Sequence, residues 1–379
     1  NSTNPLDLAE AFARKRANYV GNTGYGWGLL NNIGLSEKVI RLFTKELLKT
    51  DTVPMGKALA KAKNLYFEQD QNFSAYDEKV MQQLIFYGLP MFQAQSNGTS
   101  SLGEEFPGVD VDFDPSGSLG GNEVITKPIK INFQKVLDGD PSNGTLDSLS
   151  TDNGEYFSLY GSTNADADEP VQPLHFGDVS IASAEARSVV LLGATIASTT
   201  ENFDPLVGTP VNEYVSDDEA TLDSSFGWYP PSPVEVTGHN GESNLITQLG
   251  QFNASSNELR LFSSIDAEVY YSTSTDQTAP EITVVDGLYN AATQKVNVKV
   301  GAVDASGMKE VIVSYIEDER QTSATIKSVK LTFDASSQKW RGSFTGDINS
   351  LFYIQAVDNA GNVYTASNKG NYYRPAAER

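Results

Sequence analysis

Charge is distributed very unevenly along this chain of 379 residues. Residues 1–99 carry 11 basic and 9 acidic side chains, residues 100–276 carry 5 and 29, and residues 277–379 carry 11 of each. Stretches rich in Ser, Gly, Thr and Asn lie at both breaks, and such stretches are typical of linkers. We therefore predict three domains, at residues 1–98, 99–277 and 278–379.

The composition excludes several classes of protein. A net charge of −22 repels phosphate, so we expect no nucleic-acid partner. No apolar run reaches the ~18 residues of a membrane-spanning helix. The chain has no cysteine and two histidines, His175 and His239, and no Ser or Cys motif stands ready to partner either histidine. We expect no catalytic residue in this chain.

The first domain combines apolar strand patterns with amphipathic helix patterns. The pattern predicts strands at 17–22 and 84–87, and helices at 5–16, 37–48, 55–66 and 74–83, with Ser36 and Ser74 as N-caps. A strand followed by several helices and a second strand favours a parallel sheet with helical crossovers. Two strands form an incomplete sheet. The domain is therefore a fragment of a larger domain or is covered by another chain.

Five segments of this domain carry a resemblance to a known family. They are DLAEAF (7–12), YVGNTGYGWG (19–28), SE (36–37) at a helix start, YDEK (76–79) and FYGLPMF (86–92). In this order and spacing they resemble the C-terminal half of the peptidase domain of gingipain-type cysteine peptidases, which has a caspase-like fold. The resemblance implies that the catalytic Cys and His of such an enzyme lie upstream of these segments.

The resemblance also implies a role for one aromatic position. Gingipain-type enzymes place a Trp after the strand that follows the nucleophile segment, where it lines the pocket for the substrate side chain. Trp27 matches that position, and Tyr25 is its neighbour in the glycine-rich loop. The alternative is that Tyr25 and Trp27 simply pack against the second domain, because aromatic side chains more often belong to a core.

The second domain is acidic and rich in short strands, which predicts a β-sandwich. In a strand, Asp110, Asp112 and Asp114 share one face, and their mutual repulsion favours a cation such as Ca²⁺. Asp138 and Asp140 open a second oxygen-rich segment with the same potential. Further acidic clusters occur at 166–169 and 217–219, and solvated loops are the alternative for each of these clusters.

The third domain shows about seven strand patterns in ~100 residues, which predicts an immunoglobulin-like sandwich with Trp340 in its core. The loops that begin at Asp304 and Asp358 resemble those of bacterial immunoglobulin-like repeats. We interpret them as turns, with a calcium-binding role as the alternative. The predicted fold class is thus the C-terminal half of a caspase-like α/β domain, then a β-sandwich, then an immunoglobulin-like β-sandwich.

Taken together, these features predict the C-terminal chain, or small subunit, of a secreted or surface-located gingipain-like cysteine endopeptidase. The chain begins without Met, as expected of a processed fragment, and alone it is expected to be inactive. Expected partners are an upstream catalytic fragment of the same precursor and protein or peptide substrates. Alternatively, the first domain is a pseudo-peptidase remnant on a non-catalytic adhesin, filament or sheath subunit that self-assembles.

Overall fold

The computed structural model describes most of the chain, and all structural statements concern the described residues. These are residues 8–30, 32–48, 52–68, 73–95, 106–119, 124–138, 146–182, 184–212, 222, 225, 227–239, 241–319 and 324–377. Strands predominate over helices, and they form several sheets. The β-rich, multi-sheet character expected from the sequence is therefore confirmed.

The first domain contains all but one of the described helices. Its elements are α1 (Leu8–Arg14), β1 (Tyr19–Asn22), β2 (Gly28–Leu29), α2 (Leu35–Leu48), β3 (Thr52–Pro54), α3 (Met55–Glu68), α4 (Ala75–Gln83), β4 (Leu84–Tyr87) and β5 (Gln93–Gln95). Ser74 caps α4 as predicted, in a capping box with Asp77. Ser36 does not cap α2, because the helix already begins at Leu35 and Ser36 lies inside it. The carbonyl of Gly34 accepts the first hydrogen bonds of the helix, from the amides of Glu37 and Lys38.

The prediction of a parallel sheet in this domain is wrong. β1 and β4 pair in antiparallel register, with Tyr19 opposite Tyr87 and Asn22 opposite Leu84. α4 runs directly into β4, and the amide of Thr23 donates to the carbonyl of Gln83 at 2.9 Å. The chain therefore re-enters the sheet beside the end of β1 and can only run backwards along it. The order of helices and strands did not reveal which end of the sheet α4 reaches.

Helices α2, α3 and α4 pack around one apolar core that extends into the second domain. Val39, Ala62 and Val80 are almost fully buried at its centre, and Val171 and Leu206 of the second domain complete it. A short strand pair makes the same connection through the backbone, because β2 pairs with residues 210–211. The first domain is thus attached to the second by shared core and by hydrogen bonds.

The second domain consists of strands and one short helix. Its elements are β6 (Asp110–Phe113), β7 (Ile125–Asn132), α5 (Gln134–Leu137), β8 (Leu146–Thr151), β9 (Gly154–Leu159), β10 (Thr163–Asn164), β11 (Gln172–Asp178), β12 (Glu185–Thr200), β13 (Pro210–Val211), β14 (Trp228–Tyr229), β15 (Val234–His239), β16 (Glu242–Gln248), β17 (Gly250–Asn253) and β18 (Glu258–Ser272). A four-stranded sheet, β10-β11-β16-β15, faces the sheet that contains β12 and β18 across a large apolar core.

The third domain forms a second pair of sheets. Its elements are β19 (Glu281–Asn290), β20 (Lys295–Val303), β21 (Met308–Ile316), β22 (Thr325–Lys330), β23 (Thr332–Asp334), β24 (Lys339–Thr345), β25 (Leu351–Asp358), β26 (Val363–Ala366) and β27 (Ala376–Ala377). The sheet β23-β24-β20-β19-β27 packs on β22-β21-β25-β26. Trp340 lies in the core between them, as predicted.

The second and third domains share one continuous sheet. β12 pairs with β18 along one edge, and on its other edge Ala194 and Thr195 pair with Ile326 and Thr325 of β22. The resulting sheet has ten strands and crosses the predicted boundary at residue 277. The division at residue 277 stays a prediction about sequence units, because in space the two sandwiches are joined edge to edge.

A buried glutamine reinforces this junction. The side-chain amide of Gln355 on β25 accepts a hydrogen bond from the Leu191 amide and donates to the Leu191 carbonyl, both at 2.8 Å. It also donates to Ser314 Oγ, which in turn donates to the same Leu191 carbonyl. β12 changes register between Leu191 and Gly193, so Gln355 satisfies backbone groups beside a bulge.

We expect Gln355→Met to lower the free energy of unfolding by about 2–4 kcal/mol. The substitution keeps the side-chain volume but leaves the buried amide and carbonyl of Leu191 without that partner. Urea denaturation of the whole chain measures the change. Gln82→Met, the same substitution on the exposed face of α4, is the control and should change stability by less than about 0.5 kcal/mol. Equal stability of both variants would contradict the role given to Gln355.

Candidate functional site

The structure separates the environments of the two predicted pocket residues. The Tyr25 side chain is 49% exposed, whereas Trp27 is half-buried. The Trp27 ring packs edge-on against Tyr76 with ring centres 4.8 Å apart, and Lys79 Nζ lies 5.1 Å from its centre. Both ring contacts come from α4, and Trp27 also packs against the core that the first domain shares with Val171 and Leu206 of the second. The pocket role of both residues stays a prediction.

The backbone around Trp27 is held from two directions. Its carbonyl accepts a hydrogen bond from the Ser36 amide at 3.0 Å, at the start of α2. The next two residues form β2, which pairs with Val211 and Pro210 of β13. Leu30 extends this contact, because its amide donates to the carbonyl of Thr209 at 3.0 Å. The second domain therefore fixes the loop that carries Tyr25 and Trp27.

Apolar side chains are unusually exposed on the first domain. Of the nineteen large hydrophobic residues that are exposed in the described part, eleven lie within residues 8–92: Leu8, Phe12, Tyr25, Ile33, Ile40, Phe67, Phe73, Ile85, Leu89, Met91 and Phe92. This region is about a quarter of the chain. Where such side chains adjoin one another, they mark a candidate surface for contact with another polypeptide.

The sheet of the first domain has edges that no described strand occupies. β1 and β4 form a two-stranded sheet, and the described residues supply it with no third strand. An isolated two-stranded sheet is marginally stable, and unpaired edges present backbone donors and acceptors to an incoming strand. The exposed Ile85 side chain lies on β4 itself. The arrangement can therefore accept further strands from a partner segment.

Two of the three predicted carboxylates, Asp110 and Asp112, lie on β6 near lysines, whereas Asp114 follows the end of the strand. Asp110 lies 2.9 Å from Lys135 Nζ, and Asp112 stands directly opposite Lys130 on β7. Asp114 accepts hydrogen bonds from the amide and the hydroxyl of Ser116, which lower the pKa of its carboxyl group. Neighbouring cations thus supply part of the charge balance that the sequence assigned to Ca²⁺. Metal binding by these three residues stays a prediction.

The second predicted metal site is only partly described. Asp138 follows the short helix α5, and its Oδ1 accepts a hydrogen bond from Gln134 Nε2 at 2.7 Å. Asp140 lies outside the described residues. Metal binding by this pair also stays a prediction.

A different set of carboxylates comes together at the junction of the second and third domains. Asp276, Asp304 and Asp358 bring carboxylate oxygens within 4.8 Å of one another. Among the described residues, none of the three forms an ion pair. Asn362 joins their loops, because its amide donates to Asp358 Oδ2 at 2.8 Å and to the Thr278 carbonyl at 3.1 Å. Oxygen ligands in this number suit a hard cation such as Ca²⁺.

Sequence reasoning identified two members of this set and missed the third. The loops at Asp304 and Asp358 stood out by their turn composition, whereas Asp276 looked like part of a linker. The three are far apart in sequence, and strand pairing brings them together. No sequence pattern local to Asp276 pointed to this set.

We expect the Asp276, Asp304 and Asp358 cluster to respond to charge removal. Asp304→Asn keeps an oxygen to accept from the Ser306 amide but removes one of three mutually repelling charges. In chelator, the variant should be as stable as the wild type or up to about 1 kcal/mol more stable. Millimolar Ca²⁺ should raise the Tm of the wild type and raise that of the variant less. An equal rise in the Tm of both proteins would show that Ca²⁺ acts elsewhere. Asp334→Asn on β23 is the matched control, and its Tm should rise with Ca²⁺ as that of the wild type does.

Buried polar and charged groups at the contact between the first two domains form a structural network. Asp166 of the second domain is buried and accepts hydrogen bonds from Asn164 at 2.7 Å and Tyr229 at 2.9 Å. Burial raises the pKa of Asp166, and the charge of Lys38 on α2 opposes that shift. Lys38 also lies over the ring of Tyr66, whose hydroxyl donates to Asp77. These groups fasten α2 to the second domain.

His175 lies in an apolar environment. It is 3% exposed, and its ring packs against Phe106 and Phe133 at 4.8 and 5.7 Å between ring centres. Its Nδ1 has no hydrogen-bond partner among the described residues. Desolvation lowers the pKa of His175 to about 4, so the imidazole is neutral at pH 7. The sequence-based view that this histidine is not catalytic stays a prediction.

We expect the burial of His175 to make stability fall in acid. The pKa of His175 in the folded state lies below the ordinary value of 6.5, so the unfolded state takes up the proton first as pH falls. Between pH 7 and pH 4.5 this costs about 2–3 kcal/mol. Urea denaturation at both pH values measures the fall in the free energy of unfolding between them. That fall should be smaller in His175→Leu than in the wild type by about 2–3 kcal/mol. An unchanged pH dependence in the variant would contradict the assignment, and His239→Asn is the control.

Comparisons with known proteins give weak matches to solved structures. No family model matches the chain, and no curated protein matches it. A structure titled as a complex of the pro- and mature domains of RgpB from Porphyromonas gingivalis matches with a TM-score of 0.30 and 11% identity, over 45% of this chain and 88% of that chain. A structure concerning the zymogenic latency of gingipain K from the same organism matches with a TM-score of 0.25 and 13% identity, over 44% and 100%.

At this degree of likeness, the interpretation of the chain continues to rest on its own residues. No described helix has both the length and the apolar character to cross a membrane.

Proposed function

We propose that this chain is the non-catalytic C-terminal part of a gingipain-like cysteine endopeptidase. It completes the peptidase domain with α2, α3, α4 and the β1–β4 sheet, and it provides two β-sandwich domains. The catalytic Cys and His come from an upstream segment of the same precursor. The observation that carries the proposal is the concentration of exposed apolar side chains on the domain that resembles this family.

The unpaired edges of the β1–β4 sheet also favour an upstream segment of the same precursor as the partner. A caspase-like domain is built on a sheet of more than two strands, so the resemblance requires strands beyond those that the described residues supply. An incoming strand would satisfy the open backbone groups and cover Ile85. A covering segment of this kind would also bury Leu89, Met91 and Phe92, which follow β4. One partner therefore accounts for both features.

Within the assembled enzyme we assign Tyr25 and Trp27 to the wall of the substrate pocket. The loop that carries them is fixed by α2 and by β13, which is the rigid support a specificity pocket requires. The exposed face of Tyr25 is available to a substrate side chain, and Trp27 packs in the same loop two residues away.

The proposed location of the protein is secreted or on the cell surface. Calcium is a proposed ligand at the junction of the second and third domains.

We expect the chain, purified under native conditions from its source, to carry an upstream fragment of the same precursor. Intact mass measurement and peptide sequencing identify it, and the fragment should contain a Cys and a His. The complex should cleave peptides, and alkylation of that Cys should abolish cleavage. If the chain is found folded and unaccompanied, the peptidase proposal fails, and the adhesin or sheath alternative takes its place.

We expect Trp27→Ala in the active complex to change substrate preference. The ratio of kcat/KM between peptides that differ in one side chain should shift about tenfold, because the pocket wall discriminates between side chains. Trp27→Phe keeps an aromatic contact with Tyr76 and should shift the ratio less. A fall by the same factor for every substrate would instead indicate that Trp27 has a packing role alone.

A further inference from the structure

A cavity of about 460 Å³ lies between the second and third domains, far in sequence from the peptidase-like residues. Ile196 comes from β12, Ile316 ends β21 and Leu351 begins β25, and these three buried side chains form an apolar wall. The volume lies within the range of small-molecule binding sites in proteins. The cavity exists because the continuous sheet brings the two sandwiches side by side.

A buried arginine lines this cavity. Arg260 of β18 is 3% exposed, and its guanidinium carbon lies 3.9 Å from the ring centre of Trp228, which also lines the cavity. Gln251 Oε1 accepts from Arg260 Nε at 2.9 Å and from Nη2 at 2.5 Å, and the Tyr372 hydroxyl accepts from Nη2 at 3.2 Å. These contacts hold the guanidinium in one orientation.

The guanidinium lacks the partner that a buried charge normally has. No described carboxylate forms an ion pair with Arg260, and its Nη1 makes no hydrogen bond to a described residue. Buried arginines are ordinarily paired with an anion, because desolvation of an unpaired charge is costly. Burial accordingly lowers the pKa of Arg260, although a guanidinium remains charged. A carboxylate that enters the cavity would supply the missing counter-charge.

The other charged groups of the cavity are mainly acidic. Arg374 forms an ion pair with Glu319 through two hydrogen bonds. No described cation forms an ion pair with Glu201 or Glu258, and the charge of Arg260 acts on Glu258 only at longer range. Glu201 is exposed and Glu258 is partly exposed, so both lie nearer to solvent than Arg260. The cavity therefore combines a buried positive charge, an apolar wall and more exposed negative charges.

We propose that this cavity binds a dipolar small molecule, with a carboxylate at Arg260 and an ammonium group at Glu201 and Glu258, joined by an apolar chain along the wall. A purely anionic ligand would be repelled by the two glutamates, and a purely cationic ligand would leave Arg260 unpaired. ω-Amino acids, whose carboxylate and ammonium groups lie at the two ends of an alkyl chain, have the required chemistry. The proposal does not depend on the peptidase assignment and can be tested on this chain alone.

Isothermal titration calorimetry with 6-aminohexanoate tests the proposal, with hexanoate and hexylammonium as matched probes that each lack one charge. We expect 6-aminohexanoate to bind the wild type and each single-charge probe to bind at least about tenfold more weakly. The double variant Glu201→Gln, Glu258→Gln should lose affinity for 6-aminohexanoate but not for hexanoate. Asp286→Asn on β19 is the control variant and should leave both affinities unchanged.

Two results would overturn the proposal. One is the absence of binding by 6-aminohexanoate, and the other is hexanoate binding as tightly as 6-aminohexanoate to the wild type. Arg260→Gln should abolish binding of both carboxylates, provided that circular dichroism shows a folded protein. If that variant does not fold, the double variant at the more exposed glutamates still decides, because retained affinity there excludes recognition of the ammonium group.

Discussion

The pairing of β12 on both of its edges is the constraint on which the rest of the structure depends. One edge runs along β18 for thirteen residue pairs, and the other edge holds β22 at Ala194 and Thr195. A strand that is paired on both sides has few backbone groups left for solvent, so its neighbours are fixed in register. Bulges in β12 allow this one strand to pair in both sandwiches, and the side-chain amide of Gln355 hydrogen-bonds the backbone of Leu191 beside one of them. The buried cavity beside Arg260 and the Asp276–Asp304–Asp358 cluster both form where those sandwiches meet.

Local pattern was sufficient for much of the third domain. The alternation of apolar and polar residues predicted about seven strands there, and the described residues of this domain form nine. The same reasoning placed Trp340 correctly. It did not reveal that β22 also joins β12, since nothing in a strand's own sequence identifies its partner across a hundred residues. Edge pairing between sandwiches is a long-range property.

The candidate sites show the same limit. Asp110, Asp112 and Asp114 repel one another when considered as one strand, but β7 and α5 bring Lys130 and Lys135 to the first two. Counting carboxylates along a strand cannot include cations from its neighbour. Conversely, Asp276 gave no signal in the sequence because its companions are contributed by the ends of β20 and β25. Arg260 likewise becomes notable only when its burial, Trp228 and the missing carboxylate are seen together.

The attachment of the first domain bears on what the sandwiches are for. Accessory domains that serve as spacers need only a linker, yet here Leu206 and Val171 complete the helical core and β13 pairs with β2 directly after Trp27. Asp166 adds a buried charge that faces Lys38 on α2. Removing the second domain would therefore expose a core and release the loop of Tyr25 and Trp27. The acidic sandwich is thus a structural part of the proposed pocket wall, and the third domain, through β22 and Gln355, holds that sandwich in turn.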